Sequence, residues 1–317
     1  MNEKSNFPDF IIVGAAKSGT TALHKYLDKH PDVFLPVEKE LYFWQVRKNP
    51  NQAIIRHFEG RRNIPQTLVD YLVHYDDAKP GQKKGEATPS YLYYYDCTIQ
   101  SLRELHPNFD QIKIIIILRD PVDRILSEFR FVKKLGLDPD DLSLEESLEA
   151  EVGRKRENLL LPDLFYTDVS RYAEQVAAYK KNFSAVEVIL YDELKEDSQS
   201  LCERLCNFIG VDPRKLPSVG NEVHNHSKTR KEARGIAKPI ARFVGPLWKA
   251  IPACKLKARI REMAFVERPI EIGKVRPDVM KQLYERFLPE IDELERVTGL
   301  DLSEWKTRYK SAIRDLS

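Results

Sequence analysis

Two segments of the sequence carry residue types suited to binding the phosphate groups of a ligand. The first is 14–21, GAAKSGTT, which lies between a short apolar run and a pattern typical of an amphipathic helix. The free N–H groups at the start of a helix and the positive end of its dipole favour an anion there. Gly14 and Gly19 let the backbone approach such an anion closely. This arrangement predicts a phosphate-binding loop, against the alternative of a tight glycine turn beside a helix cap.

This loop departs from the Walker A pattern of ATPases in the position of its lysine. Gly14 and Gly19 have the spacing that the pattern requires, but Thr20 stands in the place of the lysine, and Lys17 lies inside the loop. We find no convincing Walker B segment, which would help to hold Mg²⁺. The pattern favours a nucleotide phosphate and disfavours an ATPase. A P-loop nucleotide kinase and a nucleotide-binding protein without catalysis are the alternatives.

The second segment places an arginine at the end of an apolar run and a serine in the helical pattern that follows. Arg119 ends the run 112–118, IKIIIIL, and Ser127 lies one to two turns inside the next helix. A guanidinium group binds phosphate through paired hydrogen bonds, and a hydroxyl adds a further donor. Both groups are thus suited to bind an anion. The alternative is that Arg119 pairs with Asp120 or Asp123 as a structural ion pair.

Strand–loop–helix units must position both segments. Largely apolar runs, interrupted only by Lys113 and Glu187, occupy 10–13, 112–118 and 186–191. A strand that is covered on both faces has such a pattern. Apolar residues at helical spacing follow each run. We therefore predict an α/β fold, a single domain with a central parallel sheet flanked by helices and a P-loop-like nucleotide site. A further amphipathic pattern over 279–297 predicts a C-terminal helix.

Composition limits the classes of function that fit. The chain has 317 residues, is 42% hydrophobic and carries a formal net charge of +2, so its overall charge does not direct it to nucleic acid. Four cysteines without a CxxC spacing, and a His224–His226 pair without a third ligand, predict neither a disulfide framework nor a metal site. The polar residues 1–9 lack the apolar stretch of a signal peptide, and no run approaches the roughly 20 apolar residues of a membrane span. We predict a cytoplasmic protein.

A basic segment at about 228–261 marks the one clear shift in composition. Eleven basic residues there face one acidic residue, Glu232, and Phe243 and Trp248 are interspersed. We interpret the segment as an insertion or lid within a single domain that spans 1–317. A solvated helical face, a mobile lid, and a surface that attracts an anionic acceptor or a membrane are the interpretations left open.

Taken together, these segments resemble the PAPS-dependent sulfotransferase family in its heparan-type and bacterial branch, where PAPS is 3′-phosphoadenosine 5′-phosphosulfate. The tract 10–21 resembles the family's 5′-phosphosulfate loop, and 117–127 resembles its 3′-phosphate element. The tracts 39–44, KELYFW, and 85–91, GEATPSY, are similar to segments between the two. The resemblance covers nearly the whole chain. It implies the sulfotransferase fold, PAPS as donor, 3′,5′-ADP as product and no metal.

The resemblance assigns roles to the residues that bind the donor. Lys17 is expected to contact the 5′-phosphosulfate and to stabilise the charge that grows on the departing phosphate oxygen. Arg119 and Ser127 are expected to bind the 3′-phosphate. Residues of the loop and of a late segment complete the expected donor set: Ser18, Gly19, Thr20, Thr21, Asn225, Ser227, Lys228 and Arg230. For the late segment, the alternative is a solvated basic loop.

The resemblance also implies roles on the acceptor side. Glu40 is expected to act as the general base that takes the acceptor proton; the alternatives are a solvent-exposed turn residue and a structural partner of a nearby lysine. Glu86, Thr88 and Tyr91 are expected either to contact the acceptor or only to shape their turn. Ala87 stands where the family often has lysine, which weakens any transfer of heparan-like specificity. We predict in-line sulfuryl transfer to a hydroxyl or amine of a small-molecule, lipid or glycan acceptor.

Overall fold

The structure, a computed structural model, describes residues 6–48, 64–157, 162–219, 229–233, 265–269 and 275–316. The strands within these ranges are β1 (Phe10–Gly14), β2 (Val33–Phe34), β3 (Lys83–Ala87), β4 (Lys113–Leu118), β5 (Ala185–Leu190), β6 (Thr229–Ala233) and β7 (Phe265–Pro269). The α-helices are α1 (Thr20–Leu27), α2 (Phe43–Val46), α3 (Leu68–Leu72), α4 (Tyr95–Leu105), α5 (Pro121–Leu135), α6 (Leu144–Glu157), α7 (Tyr166–Val169), α8 (Tyr172–Asn182), α9 (Tyr191–Glu196), α10 (Ser198–Ile209), α11 (Pro277–Thr298) and α12 (Ser303–Asp315).

Five of these strands form a sheet that is parallel throughout, in the order β2-β3-β1-β4-β5. β1 lies in the centre, between β3 on one side and β4 on the other. The direction in which strands are added therefore reverses next to β1. In open α/β sheets, ligands bind beyond the carboxyl ends of the strands at such a point. The carboxyl ends of β1 and β4 carry the two segments that we predicted to bind phosphate.

Helices cover both faces of this sheet. Ile11 of β1 and Ile114 of β4 pack into one apolar core, which also takes side chains from α5, α8 and α11. Their chain neighbours Ile12 and Ile115 pack into a second core, with α1 and α10. Because successive residues of a strand point to opposite faces, Phe10–Val13 of β1 and Ile114–Leu118 of β4 need to be apolar at every position. The predicted α/β fold with a central parallel sheet is confirmed, and the predicted C-terminal helix corresponds to α11.

The strand β3 has no counterpart in the sequence predictions. Its residues, KKGEA, contain no apolar run, and the strand exists because it pairs with β1 on one side and β2 on the other. Gly85 is required at this position because a Cβ atom there would lie 2.1 Å from Cζ of Phe10. The strand is therefore specified by its neighbours in the sheet rather than by its own hydrophobic pattern.

The last described helix, α12, supports the start of α5. Asp120 precedes α5, and its Oδ1 accepts the N–H of Asp123 at 3.0 Å. Tyr309 of α12 donates its hydroxyl to the same carboxylate at 3.0 Å and accepts the N–H of Val122 at 3.2 Å. Arg308 forms ion pairs with both aspartates. These contacts fix the backbone at the carboxyl end of β4.

The described part of the basic segment is β6, which pairs antiparallel with β7. The remainder of 228–261 lies outside the described residues, so the lid and the single domain over 1–317 stay predictions. Within the described ranges, no helix combines the length and the apolarity needed to cross a lipid bilayer.

Candidate active site

A cavity of about 470 Å³ opens at the carboxyl ends of β1 and β3, beside α5. Lys17, Glu40 and Ser127, which come from three separate segments, all lie on its wall. The other charged residues of the wall are Lys25, Glu128, Lys134, Asp163 and Lys195. Its aromatic residues are Tyr26, Tyr42, Tyr93, Phe131 and Tyr191. The fold therefore joins the predicted loop, one residue of the 3′-phosphate pair and the predicted base in one site.

The phosphate loop has a backbone that its glycines make possible. A Cβ atom on Gly14 would lie 2.4 Å from Cβ of Leu92. Gly19 has a φ of 95°, in the left-handed region that favours glycine. A Cβ atom there would lie 2.9 Å from side-chain atoms of Tyr191 and Leu194. Both glycines thus let the loop pass between neighbouring elements and start α1 at the cavity.

Ser18 differs from its neighbours in the loop. Its side chain is fully buried and does not belong to the cavity wall, and its N–H donates to the carbonyl of Ala15 at 3.3 Å. Gly19, Thr20 and Thr21 do line the cavity. The structure therefore places three of the four expected cradle residues at the site and turns the hydroxyl of Ser18 into the protein.

Lys17 lies between the loop and α5. Its Nζ is 3.8 Å from the centroid of the Phe131 ring, a distance at which an ammonium group is attracted to an aromatic face. Burial lowers the pKa of Lys17, and the negative charges of Glu128 and Asp163 oppose that effect. The lysine is thus a half-buried cation on the cavity wall with acidic neighbours.

Glu40 is held in place by both of its carboxylate oxygens. Oε1 accepts a hydrogen bond from Nζ of Lys39 at 3.0 Å, and Oε2 accepts one from the hydroxyl of Tyr42 at 2.5 Å. Its backbone N–H donates to the carbonyl of Ala87 at 3.0 Å, and Lys39 also reaches Oγ1 of Thr20 at 3.4 Å. Glu40 is therefore a partner of a nearby lysine, as one alternative expected, and it also lies on the cavity wall.

Arg119 lies directly behind this wall. Its Nη1 donates to the carbonyl of Lys17 at 3.4 Å, and its guanidinium carbon lies 5.1 Å from the centroid of Tyr191. Asp120 and Asp123, its predicted alternative partners, pair with Arg308 instead. The structure thus shows Arg119 beside the loop and the cavity, without the ion pairs of the structural alternative.

Glu86, Thr88 and Tyr91 are placed away from the cavity. All three are at most 1% exposed, and none belongs to the wall. The Glu86 carboxylate accepts hydrogen bonds from the hydroxyls of Thr88 at 2.8 Å, Tyr91 at 2.7 Å and Tyr71, and from Nε1 of Trp44 at 3.2 Å. Burial raises the pKa of Glu86, and these donors oppose the effect. The geometry corrects the expectation of acceptor contact: these side chains shape and stabilise their turn.

Replacing Tyr91 with phenylalanine is expected to lower stability without raising the KM for the acceptor. The change removes a hydroxyl that donates to a buried carboxylate, which typically costs about 1–3 kcal/mol. Chemical denaturation measures the free energy of unfolding, and initial rates give KM for an acceptor found with labelled donor. Tyr93→Phe is the matched control, because the Tyr93 hydroxyl binds Asp168 at 2.7 Å and its side chain lines the cavity. A raised KM with unchanged stability for Tyr91→Phe would contradict this assignment.

Glu128, Phe131 and Asp163 are among the wall residues that the sequence analysis did not name. Glu128 and Phe131 follow Ser127 in α5, and Phe131 lies four residues after it, where helical spacing puts two side chains on one face. That spacing was an available signal. Asp163 lies in a short turn before α7, and no local pattern links it to the other segments.

The late segment that was expected to contribute to the donor site is only partly described. Asn225, Ser227 and Lys228 lie outside the described residues. Arg230 belongs to β6, whose backbone alone is described; its Cα partner in β7 is Arg268. Their role at the donor stays a prediction.

The comparison with known proteins agrees with this geometry. A family model described as "Sulfotransferase domain" matches residues 7–232. The membrane-associated sulfotransferase kil1 of Dictyostelium discoideum is 32% identical over 150 residues, which cover 45% of this chain and 28% of that protein. The heparan sulfate glucosamine 3-O-sulfotransferase 3B1 of Mus musculus is 26% identical over 238 residues, covering 73% of this chain and 54% of the relative. The chain spans about half the length, or less, of these curated relatives.

A solved structure supports the same fold. A sulfotransferase from Alicyclobacillus acidocaldarius superposes with a TM-score of 0.70 at 26% sequence identity, over 95% of this chain and 99% of that one.

Proposed function

The chain belongs to the sulfotransferase domain family, and from this premise we propose that it transfers a sulfuryl group from PAPS to a hydroxyl or amine of an acceptor, releasing 3′,5′-ADP. One observation supports this most strongly. The phosphate loop with Lys17, the 3′-phosphate residue Ser127 and the base Glu40 share one cavity. A donor with two phosphate ends needs two anion sites, and transfer needs a base on the acceptor side.

The described residues fit such a donor at both ends. The start of α1 and the N–H groups of the loop suit the 5′-phosphosulfate. Arg119 lies behind the loop, and Ser127, which is 6% exposed, lies on the wall. The guanidinium of Arg119 and the hydroxyl of Ser127 are both groups that suit the 3′-phosphate. Pinning the donor at two points would supply much of the orientation that the reaction needs.

In the proposed reaction, the acceptor oxygen or nitrogen forms a bond to sulfur while the bond from sulfur to the 5′-phosphate oxygen breaks. The electron pair of the broken bond goes to that phosphate oxygen, where Lys17 balances the negative charge. The proton of the acceptor goes to Glu40. Lys39 and Tyr42 each donate to one oxygen of Glu40 and so orient it.

The acceptor is proposed to be a small molecule, a lipid or a glycan. The names of two relatives support a carbohydrate, since one acts on heparan sulfate glucosamine and another is a carbohydrate sulfotransferase. On this chain, Tyr42, Tyr93 and Phe131 add aromatic rings to the cavity wall that also carries Glu40. Aromatic faces pack well against the apolar faces of sugar rings and of small ring compounds. The cytoplasmic location stays a prediction from the sequence.

A direct assay separates this function from its alternatives. The protein is incubated with PAPS carrying a radiolabelled sulfuryl group, in EDTA, against a panel of neutral glycans, aminoglycans, sterols and phenols. A parallel reaction with ATP and Mg²⁺ tests for a P-loop kinase. Labelled product in the first reaction and none in the second is expected. Binding of ATP without binding of 3′,5′-ADP in calorimetry would overturn the proposal.

Replacing Arg119 with alanine is expected to weaken 3′,5′-ADP binding roughly tenfold or more. A hydrogen bond to a charged group contributes about 1.5–3 kcal/mol. The affinity for 5′-AMP, which lacks the 3′-phosphate, should change little, and calorimetry with both nucleotides measures the difference. Arg296→Ala removes an exposed arginine that pairs with Glu293 on α11 and serves as the control. Equal losses for both nucleotides would remove Arg119 from the 3′-phosphate site.

A further inference from the structure

Two carboxyl groups on the cavity wall have no part in the proposed transfer. Glu128 belongs to α5, and Asp163 belongs to the turn Pro162–Leu164. Both line the cavity together with Lys17. They lie close enough for the charge of Glu128 to act on Asp163. Glu128 is also anchored by Arg124, whose Nη1 lies 2.9 Å from Oε2.

This carboxyl pair changes its charge close to neutral pH. Two carboxylates that lie close together repel each other, so such a pair tends to share a proton. Burial, together with the negative charge of Glu128, raises the pKa of Asp163 to about 7. The pair therefore bears more negative charge above pH 7 than below it.

Lys17 is subject to two opposing effects at the same place. Burial lowers its pKa and so favours the neutral amine, whereas Glu128 and Asp163 favour the ammonium form. The Phe131 ring, 3.8 Å from Nζ, lies three residues after Glu128 in α5. Residues at that spacing are neighbours on a helix surface. The ring and the carboxyl pair therefore form one environment for the ammonium group.

We propose that Glu128 and Asp163 are positioning residues for Lys17. The negative charge of this carboxyl pair keeps the ammonium group of Lys17 protonated and holds it beside Phe131 until a donor phosphate binds. This inference rests on the proposed function, in which Lys17 meets the departing phosphate. A neutral amine at this position would not balance that charge. The pair thus opposes the effect of burial on the charge of Lys17.

Other charged groups around the carboxyl pair also act on the protonation of Lys17 and Asp163. Arg124 and Arg119 oppose the protonation of Lys17, and Glu40 adds negative charge that acts on Asp163. As the pH rises above 7, Asp163 loses its proton and its support for the ammonium group grows. This support grows toward alkaline pH, where a lysine with a lowered pKa loses its proton earlier than an ordinary lysine. Below pH 7 the support weakens, but the lysine then stays protonated without it.

Competitive labelling of the ligand-free protein with acetic anhydride tests the inference. Mass spectrometry of the peptide that contains Lys17, over a series of pH values, reports how much of the amine is neutral. Asp163→Asn should move the labelling midpoint of Lys17 to lower pH and speed its labelling at pH 8 roughly threefold or more. Asp163→Glu, which keeps the charge, should restore the original curve. The alkaline limb of the kcat/KM profile should move in the same direction as the labelling midpoint.

Two further variants make the result decisive. Glu149→Gln removes an exposed carboxylate of α6 and should leave the Lys17 curve unchanged. Glu128→Gln should shift the curve as Asp163→Asn does, with its thermal transition measured because Glu128 anchors a buried arginine. An unshifted curve in a folded Asp163→Asn variant overturns the inference. Labelling needs no donor, so a failure of sulfuryl transfer would count against the proposed function and not against this result.

Discussion

Replacing Lys17 with alanine is expected to lower the rate of sulfuryl transfer by about 10²-fold or more. The ammonium group meets charge that develops as the phosphate leaves, and removing one such electrostatic contact typically has an effect of this size. The binding of 3′,5′-ADP should weaken far less, because the loop N–H groups and Arg119 remain. Initial rates at saturating PAPS measure the first effect, and calorimetry measures the second.

Two further variants test whether the loss is caused by the missing positive charge of Lys17. Lys17→Arg keeps the positive charge and should retain part of the lost rate. Lys25→Ala removes an exposed lysine of α1 that lines the same cavity, and its rate should stay within severalfold of the original. If Lys17→Ala transferred sulfuryl groups at the original rate, Lys17 would have no part in the chemistry, whatever its position in the loop.

Replacing Glu40 with glutamine is expected to lower the rate by about 10²–10⁴-fold, the usual contribution of a general base. The glutamine side chain is nearly the same size and can still accept from Tyr42 or Lys39, but it cannot take the acceptor proton. The affinity for 3′,5′-ADP should be unchanged, because Glu40 lies on the acceptor side of the proposed site. Single-turnover rates with bound PAPS measure the chemical step directly.

Glu38→Gln provides the matched control for this experiment. Glu38 lies two residues before Glu40, is exposed, and has its Oε2 3.6 Å from Nδ1 of His74. Its replacement removes one negative charge from the same loop and should leave the rate nearly unchanged. Equal losses in the two variants would show a general effect of charge in the loop and would count against proton transfer to Glu40.

The parts of the fold that follow from hydrophobic pattern were predictable. β4 is buried on both faces from Ile114 to Leu118, so those residues had to be apolar throughout. The glycine spacing around Lys17 was predictable for another reason. The positive φ of Gly19 restricts which residue can occupy that position. The positions of Arg119 and Ser127 in the fold were predictable because Arg119 directly follows a strand and Ser127 lies in the helix after it.

The remainder depends on contacts between segments that are distant in the chain. β3 has charged residues in its sequence and is recognised only by its pairing partners. The structural role of Glu86 depends on Tyr71 and Trp44, which lie 15 and 42 residues away in the sequence. Both donate hydrogen bonds to its carboxylate. Asp163 becomes part of the site because its turn meets α5. The local periodicity of apolar residues carries no information on contacts between distant segments.

The contacts of α12 have a consequence for how this protein is made. Arg308 and Tyr309 hold the aspartates and the backbone at the start of α5, yet they are synthesised almost 190 residues after Asp120. A nascent chain can pair β1 with β4 long before these two residues leave the ribosome. The strand that precedes Arg119 can therefore form first, whereas the support behind its phosphate-binding end forms only after almost 190 further residues have been synthesised.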